Sequence, residues 1–281
     1  MNNFLKTISF LLIAVSITAQ SSVTIMPYHL PISYKNSGAR ENSSLTGVYG
    51  QLEADLNNTF ELAIDYSDLN YVFDFNIKQY DFSFVYTNTS VPEWKFRTGA
   101  HYIISDDVLT DKGYVLFAGV NKYRFRSWDA GINVYYSNYS DYTPSISAVQ
   151  LSPSFGLTFM FDRTKGLYIN SEANYILLSD SVFSSEKKYF SLRETLTYFN
   201  ENFSISAYAQ FGKQKFAVRQ NGFLVYNVAD LMKSGFGASV TYSFTPKFFL
   251  KAGFEYDKFD EETYGTRATS TKYIFLAGFT F

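Results

Sequence analysis

The chain has 281 residues, a formal net charge of −2 at pH 7, no cysteine and two histidines. This composition excludes a disulfide framework and a cysteine nucleophile, leaves few ligands for a transition metal, and does not favour a nucleic-acid partner. Phe and Tyr are unusually frequent, with 29 and 24 residues. The mean hydropathy of −0.11 is that of a soluble protein, but a chain that alternates apolar and polar residues has the same average.

The first segment, residues 1–19, is predicted to be a signal peptide. MNNFLK carries a lysine, ISFLLIAV is a short apolar core, and SITAQ supplies small residues for cleavage near Ala19 and Gln20. This apolar run is too short for a membrane-spanning helix, and no later segment approaches the ~18 apolar residues that one needs. The sequence therefore predicts an exported chain with a single domain over residues 20–281.

Apolar and polar residues alternate with a period of two along most of this domain. Phe60, Leu62 and Ile64, for example, alternate with Glu61 and Asp65. The pattern is typical of β-strands that have one apolar face. It recurs over residues 71–77, 128–136, 155–161, 203–211, 236–244 and 273–281.

The predicted connections between strands alternate in length. The short ones are residues 57–58, 123–126, 162–165, 200–202 and 245–247, and the longer ones are 36–44, 105–113, 137–147, 178–187, 212–235 and 258–270. The breaks predict about 14 strands, with 12 or 16 as alternatives. A change of parity near Gln79 indicates a bulge or an extra turn. Asn221-Gly222 predicts a hairpin that rises out of the structure, or two more strands.

The apolar run, the alternating aromatic strands and the last strand, TKYIFLAGFTF, resemble those of Gram-negative outer-membrane β-barrel proteins with a porin-like architecture. The resemblance implies an all-β transmembrane antiparallel up-and-down barrel in the bacterial outer membrane, in contact with lipid and lipopolysaccharide. It also implies a signal for the barrel-assembly machinery at Tyr273, Phe279 and Phe281. A soluble β-sandwich is the alternative, but it leaves the alternation of connection lengths unexplained.

The first and tenth predicted strands raise questions of register. Pro27 and Pro31 each remove an amide donor from the stretch 23–34, so we expect part of it to lie in the lumen or in a periplasmic arm. Glu194 shares the outward parity of Leu192 and Leu196. A carboxylate there costs free energy at the membrane midplane, so we expect it near an interface, or a slip of register.

The opposite parity lines the predicted lumen. A barrel of about 14 strands leaves room for water unless a loop fills it. Charged side chains in it either form salt bridges that fill the interior or set the ionic preference of a pore. The predicted pore-lining residues are Glu53, Asp55, Glu61, Asp65, Asp74, Lys95, Arg97, His101, Asp129, Glu172, Arg193, Lys251 and Glu255, together with Asp257.

The predicted function is passive diffusion of small hydrophilic solutes, with no cofactor and no metal. One alternative is a non-conducting barrel whose longest loop, 212–235, binds a surface partner through Lys213, Lys215, Arg219 and Lys233. A lipid-modifying enzyme is less favoured. His101 has only Ser105 and Asp107 on its own face as candidate catalytic partners, so no enzyme activity is expected.

Overall fold

The computed structural model describes residues 21–73, 75–142, 145–181, 186–226 and 229–281; the predicted signal peptide lies outside them. Within these residues the chain forms 16 β-strands, of which 14 close into one antiparallel up-and-down barrel, which confirms the predicted fold and strand number. No helix in the described ranges is long and apolar enough to cross a membrane. The strands are β1 Ser22–Lys35, β2 Arg40–Glu53, β3 Asn58–Tyr71, β4 Asn76–Asn88, β5 Trp94–Ser105, β6 Tyr114–Arg124, β7 Trp128–Tyr139, β8 Ile146–Met160, β9 Gly166–Leu178, β10 Lys188–Phe199, β11 Phe203–Gln214, β12 Val218–Arg219, β13 Leu224–Val225, β14 Leu231–Thr245, β15 Phe248–Glu261 and β16 Thr266–Thr280.

Consecutive strands pair around the barrel, with two exceptions. β11 pairs with β14 across the insertion that carries β12 and β13, and β16 pairs with β1 to close the ring. The alternation seen in the sequence becomes two faces: in β7, Ile132 and Val134 face outward and are 40% and 42% exposed, whereas Tyr135 faces inward and is 3% exposed. The period of two therefore separates one set of side chains on the outer face from another on the inner face, because successive side chains of a strand point to opposite faces.

The connections lie at two distinct ends of the barrel. The turn end carries the start of β1, the end of β16 and the connections 54–57, 89–93, 125–127, 161–165, 200–202 and 246–247. The loop end carries the remaining connections, of which 215–230 is the longest. Two predicted long loops are shorter than expected, because β2 begins already at Arg40 and β15 continues to Glu261. The stretch 71–86 does contain a turn, since β3 ends at Tyr71 and β4 begins at Asn76. The parity change near Gln79, however, lies within β4, which has no register shift there: Ile77 faces inward, and Tyr80 faces outward and is 48% exposed.

The first strand corrects a prediction. β1 is a full strand of the wall and pairs with both β2 and β16, so it forms neither an arm nor a segment inside the lumen. Its pairing with β16 skips positions 26–27 and 30–31, where Pro27 and Pro31 lack an amide hydrogen. The seam is completed at the turn end, where the Phe281 amide donates to the Val23 carbonyl oxygen over 2.9 Å.

Glu194 keeps its outward parity near the middle of β10. Its register partners are Ser171 on β9 and Ala209 on β11, so the strand does not slip. The Ser171 hydroxyl donates a hydrogen bond of 2.6 Å to the Glu194 carboxylate. The structure therefore satisfies this carboxyl group with a neighbour on the same outward face, which neither expectation anticipated.

Candidate functional site

The insertion between β11 and β14, residues 215–230, folds into the barrel. We call it the inward loop. Phe216 is fully buried, and its ring lies 5.1 Å from that of Tyr139 on β7 and 5.7 Å from that of Tyr142. The Gln150 amide on β8 donates to the Val218 carbonyl oxygen and accepts from the Val218 amide, each over 2.8 Å. The hydrogen bonds from the Gln150 side chain to the loop backbone and the aromatic packing together hold the loop against the inner wall.

The tip of the inward loop reaches the opposite wall. Gln220 and Asn221 have φ values of 50° and 58°, and Gly222 follows at 96°. A Cβ at Gly222 would lie 2.2 Å from the Phe117 ring, so only glycine permits this approach of loop to wall. Phe223 then packs edge-on against Tyr49 of β2, with ring centroids 5.4 Å apart. The loop therefore lies across the lumen.

This arrangement corrects the prediction of a hairpin that rises out of the barrel. The hairpin exists, with β12 paired to β13, but it points inward. Of the cations predicted to form an external contact surface, Lys215 and Arg219 are buried at 1% and 4% exposure. Lys215 forms an ion pair with Glu262, and Arg219 donates to Tyr226 Oη over 3.0 Å.

A second set of contacts fastens the base of the inward loop. The Arg40 guanidinium on β2 forms an ion pair with Asp230, directly before β14. Glu261 accepts hydrogen bonds from the Ser37 hydroxyl at 2.5 Å and from the Gly38 amide at 2.7 Å. These contacts join the connection between β1 and β2 to the ends of β14 and β15, so the loop end of the barrel is tied together on this side.

On the turn-end side of the loop tip lies a polar cavity of about 370 Å³, which we call the turn-side cavity. No ion pair among the described residues involves Lys95, Arg97 or Arg193. Asp129 accepts a 3.0 Å hydrogen bond from the Tyr168 hydroxyl, and Glu172 lies opposite Arg193 in the register. The predicted residues that line this cavity are Lys95, Arg97, Asp129, Glu172 and Arg193.

A larger cavity of about 450 Å³ lies between the inward loop and the wall formed by β1–β4 and β14–β16. We call it the wall cavity. Its polar members include the predicted residues Asp65, His101, Lys251, Glu255 and Asp257. Its other lining is largely apolar and consists of Met26, Tyr28, Leu30, Ile32, Leu45, Leu69, Ile77, Ile274, Leu276, Phe223, Leu224, Val225, Met232 and Phe259, among others.

Sequence reasoning missed this apolar strip. On β1 the inward residues are the even ones, such as Tyr28 and Leu30, and they are more apolar than the outward His29 and Ser33. The signal was present, because the even positions of residues 26–34 are all apolar or aromatic. The sequence prediction placed the apolar positions of each strand on the outward face, and on β1 these positions face inward.

The remaining predicted pore-lining residues lie elsewhere. Asp55 is in the turn between β2 and β3, where the Asn58 side-chain amide and the backbone amides of Asn57 and Asn58 donate to its carboxylate, and these bonds lower the pKa of its carboxyl group. Glu53, at the turn end, accepts from the Ser22 hydroxyl, and Glu61 accepts from the Tyr49 hydroxyl at 2.5 Å. Asp74 lies outside the described residues.

His101 has partners that the sequence did not suggest. Its Nδ1 lies 2.8 Å from the Ser83 hydroxyl and its Nε2 lies 3.2 Å from Asp81 Oδ1. Ser105 and Asp107, the partners considered from the sequence, bond instead to each other, with the Asp107 amide donating to Ser105 Oγ over 3.1 Å. His101 is 2% exposed, so the Ser83–His101–Asp81 contact ties β4 to β5 within the wall.

The architecture is similar to that of several solved structures. The chain is similar to the CymD monoaromatic hydrocarbon channel, with a TM-score of 0.57 and 6% identity over 95% of this chain and 90% of that one. It is also similar to the Pseudomonas putida toluene transporter TodX, with a TM-score of 0.54 and 6% identity over 95% and 90% of the two chains. A Pseudomonas aeruginosa FadL homologue matches with a TM-score of 0.51 and 11% identity over 95% and 91%. The chain has the fold of bacterial outer-membrane β-barrel proteins. No family model and no curated protein matches its sequence.

Proposed function

We propose that the chain is a passive outer-membrane channel for small molecules that have an apolar part. The observation that carries the proposal is the wall cavity, whose about 450 Å³ are lined largely by aliphatic and aromatic side chains within the barrel. Pockets for small molecules combine such a lining with a few polar groups that orient the ligand. The names of two structural neighbours, a hydrocarbon channel and a toluene transporter, support the same class of solute.

Swelling of proteoliposomes tests this proposal. A phenyl glycoside and a disaccharide of similar size both need a protein to cross the lipid. We expect faster entry of the phenyl glycoside, and slower entry when Leu45→Trp fills the wall cavity. Leu62→Trp is the matched control, because Leu62 faces outward and is 50% exposed. Equal entry of the two solutes, or no swelling with either, would overturn the proposal.

A second candidate function is the diffusion of small hydrophilic solutes. It is favoured by the turn-side cavity, where Lys95 and Arg97 are neighbours on the inward face of β5. If this cavity selects the solute, the disaccharide enters the proteoliposomes at least as fast as the phenyl glycoside. A non-conducting barrel that binds a surface partner is less supported, because Lys215 and Arg219 lie inside the barrel.

A further inference from the structure

Asp65 is a buried carboxylate whose charge has no counterpart. It lies on β3, lines the wall cavity and is 5% exposed. Its Oδ1 atom has no hydrogen-bond partner, and none of the ion pairs within the described ranges includes Asp65. A buried carboxylate is ordinarily paired or hydrogen-bonded, because its removal from water is costly. This atom therefore has an unfilled place for a donor or a cation.

A second acid, Asp81, lies next to Asp65 and makes a bound cation more favourable. Asp81 on β4 is the register partner of Asp65, and like charges directly opposite each other repel. Asp81 is itself satisfied, since the Gln79 amide donates to both of its oxygens at 2.9 Å and His101 Nε2 lies 3.2 Å from Oδ1. The two carboxylates thus differ: Asp81 has protein partners, whereas Asp65, which lines the cavity, has a buried oxygen with no hydrogen-bond partner among the described residues.

Gly47 makes room for an aromatic ring beside this oxygen. On β2, Gly47 is the register partner of both Asp65 and Tyr28. A Cβ at Gly47 would lie 2.2 Å from Asp65 Oδ1 and 2.6 Å from both Cζ and the hydroxyl oxygen of Tyr28. The Asp65 carboxylate and the Tyr28 ring therefore both lie against the backbone of Gly47, where a side chain is absent. Tyr49 is the next inward residue of β2.

The geometry points to a subsite in which Asp65, Tyr28 and Tyr49 bind the ammonium group of a small amphipathic amine or quaternary ammonium compound. This inference rests on the channel function proposed above and names its substrate class. A carboxylate supplies the opposite charge, and aromatic faces attract alkylammonium groups. The apolar part of the ligand would lie against Leu30 and Leu45, which line the same cavity.

Two other occupants fit less well. A divalent metal ion needs more ligands, and the described part of the chain contains no group of three or more His, Cys, Asp or Glu that could hold one. Two cations among the described residues that line this cavity already have partners: Arg40 is paired with Asp230, and Lys272 with Glu255. Lys251 lines the cavity from β15, four strands away around the barrel from β3.

Binding to the full chain in lipid nanodiscs tests the subsite. Isothermal titration compares benzyltrimethylammonium, benzyl alcohol and benzoate, which share one apolar body and differ in charge. We expect the cation to bind about tenfold more tightly than the alcohol, because it adds an electrostatic attraction to the carboxylate and to the aromatic rings of about 1.4 kcal/mol. Asp65→Asn should abolish this preference, and Gly47→Ala should weaken it by filling the space beside Oδ1. Asp180→Asn, in an exposed loop, is the matched control and should leave the preference intact.

The outcomes separate this inference from the channel function. Equal binding of the cation and the alcohol by the wild-type chain would overturn the subsite, even if the phenyl glycoside still enters proteoliposomes. A preference that survives Asp65→Asn in a variant with the wild-type heat-modifiable mobility would also overturn it. Absence of solute entry together with an intact, Asp65-dependent preference would instead refute the channel and retain the cation subsite.

Discussion

The inward loop should be released by removing one side chain, Phe216. Its ring is fully buried and packs on the rings of Tyr139 and Tyr142 at centroid distances of 5.1 and 5.7 Å. Phe216→Ala leaves the Gln150 hydrogen bonds to Val218 in place but removes this aromatic contact. The free energy that docks the loop against the wall becomes less favourable, while the barrel strands keep all of their backbone pairing.

The size of the effect follows from burial. Replacing a fully buried phenylalanine by alanine costs about 3–5 kcal/mol. Since the barrel itself is unchanged, most of this cost falls on the docking of the loop. Each 1.4 kcal/mol is a factor of ten, so the ratio of released to docked loop should rise about 100- to 3000-fold.

Trypsin measures this ratio directly, because Arg219 is 4% exposed in the docked loop. When a loop opens and closes rapidly, the cleavage rate follows the population of the open form. We expect cleavage after Arg219 to accelerate about 100-fold or more in Phe216→Ala. Lys213 is exposed and serves as an internal reference, and Tyr264→Ala in another loop is the control variant. Wild-type cleavage at Arg219 in Phe216→Ala would refute the view that this contact holds the loop.

Three further predictions concern the wall. Lys95→Gln should shift the reversal potential toward cation selectivity, by about fivefold in the cation-to-anion permeability ratio, since a unit charge roughly 8 Å from a passing ion contributes about 0.5 kcal/mol in water, with opposite sign for the two ions. Glu194→Leu should raise the unfolding free energy in lipid vesicles by about 1–2 kcal/mol, because it removes a carboxyl group from the outward face. Phe279→Ala should slow barrel assembly about fivefold, since loss of its contact with Phe248, at 5.1 Å, removes about 1 kcal/mol; the heat-modifiable fraction measures this.

Each of these predictions has a matched control. Lys112→Gln changes an exposed charge of the loop end and should leave the reversal potential unchanged. Glu201→Leu alters a carboxylate in an exposed turn and should not stabilise the barrel. Phe211→Ala removes an outward ring from β11, away from the closing strand, and should assemble at the wild-type rate. A control that matches its test variant would contradict the corresponding argument.

Much of the barrel was predictable because its information is local. The period of two assigns a face to each residue, as for Ile132 and Tyr135 on β7, and the turn residues separate the strands. The prediction for β1 was wrong because a proline disturbs only the side of the strand on which its amide would donate. Pro27 and Pro31 interrupt the register with β16 but not that with β2.

The candidate sites were predictable as residue types but not as neighbours. Asp65 and Lys95 were both assigned to the lumen, yet nothing local indicates that one lines the wall cavity and the other the turn-side cavity. His101 was considered beside Ser105, two inward positions away on its own strand, whereas Ser83 lies on β4. Which residues of two strands become neighbours depends on the pairing register. That register is fixed by every turn that lies between the two strands, so it cannot be read from either strand alone.

The sequence by itself determined an all-β chain with an apolar outer face, because alternation and turn propensity act within a few residues. The tertiary structure alone decided that residues 215–230 fold inward, because that direction depends on Gln150 and Tyr139 of distant strands offering hydrogen bonds and a packing surface. It likewise brought Tyr28, Gly47 and Asp65 together from three strands. Contacts of this kind exist only when the closed ring has set the height of each strand against its neighbours.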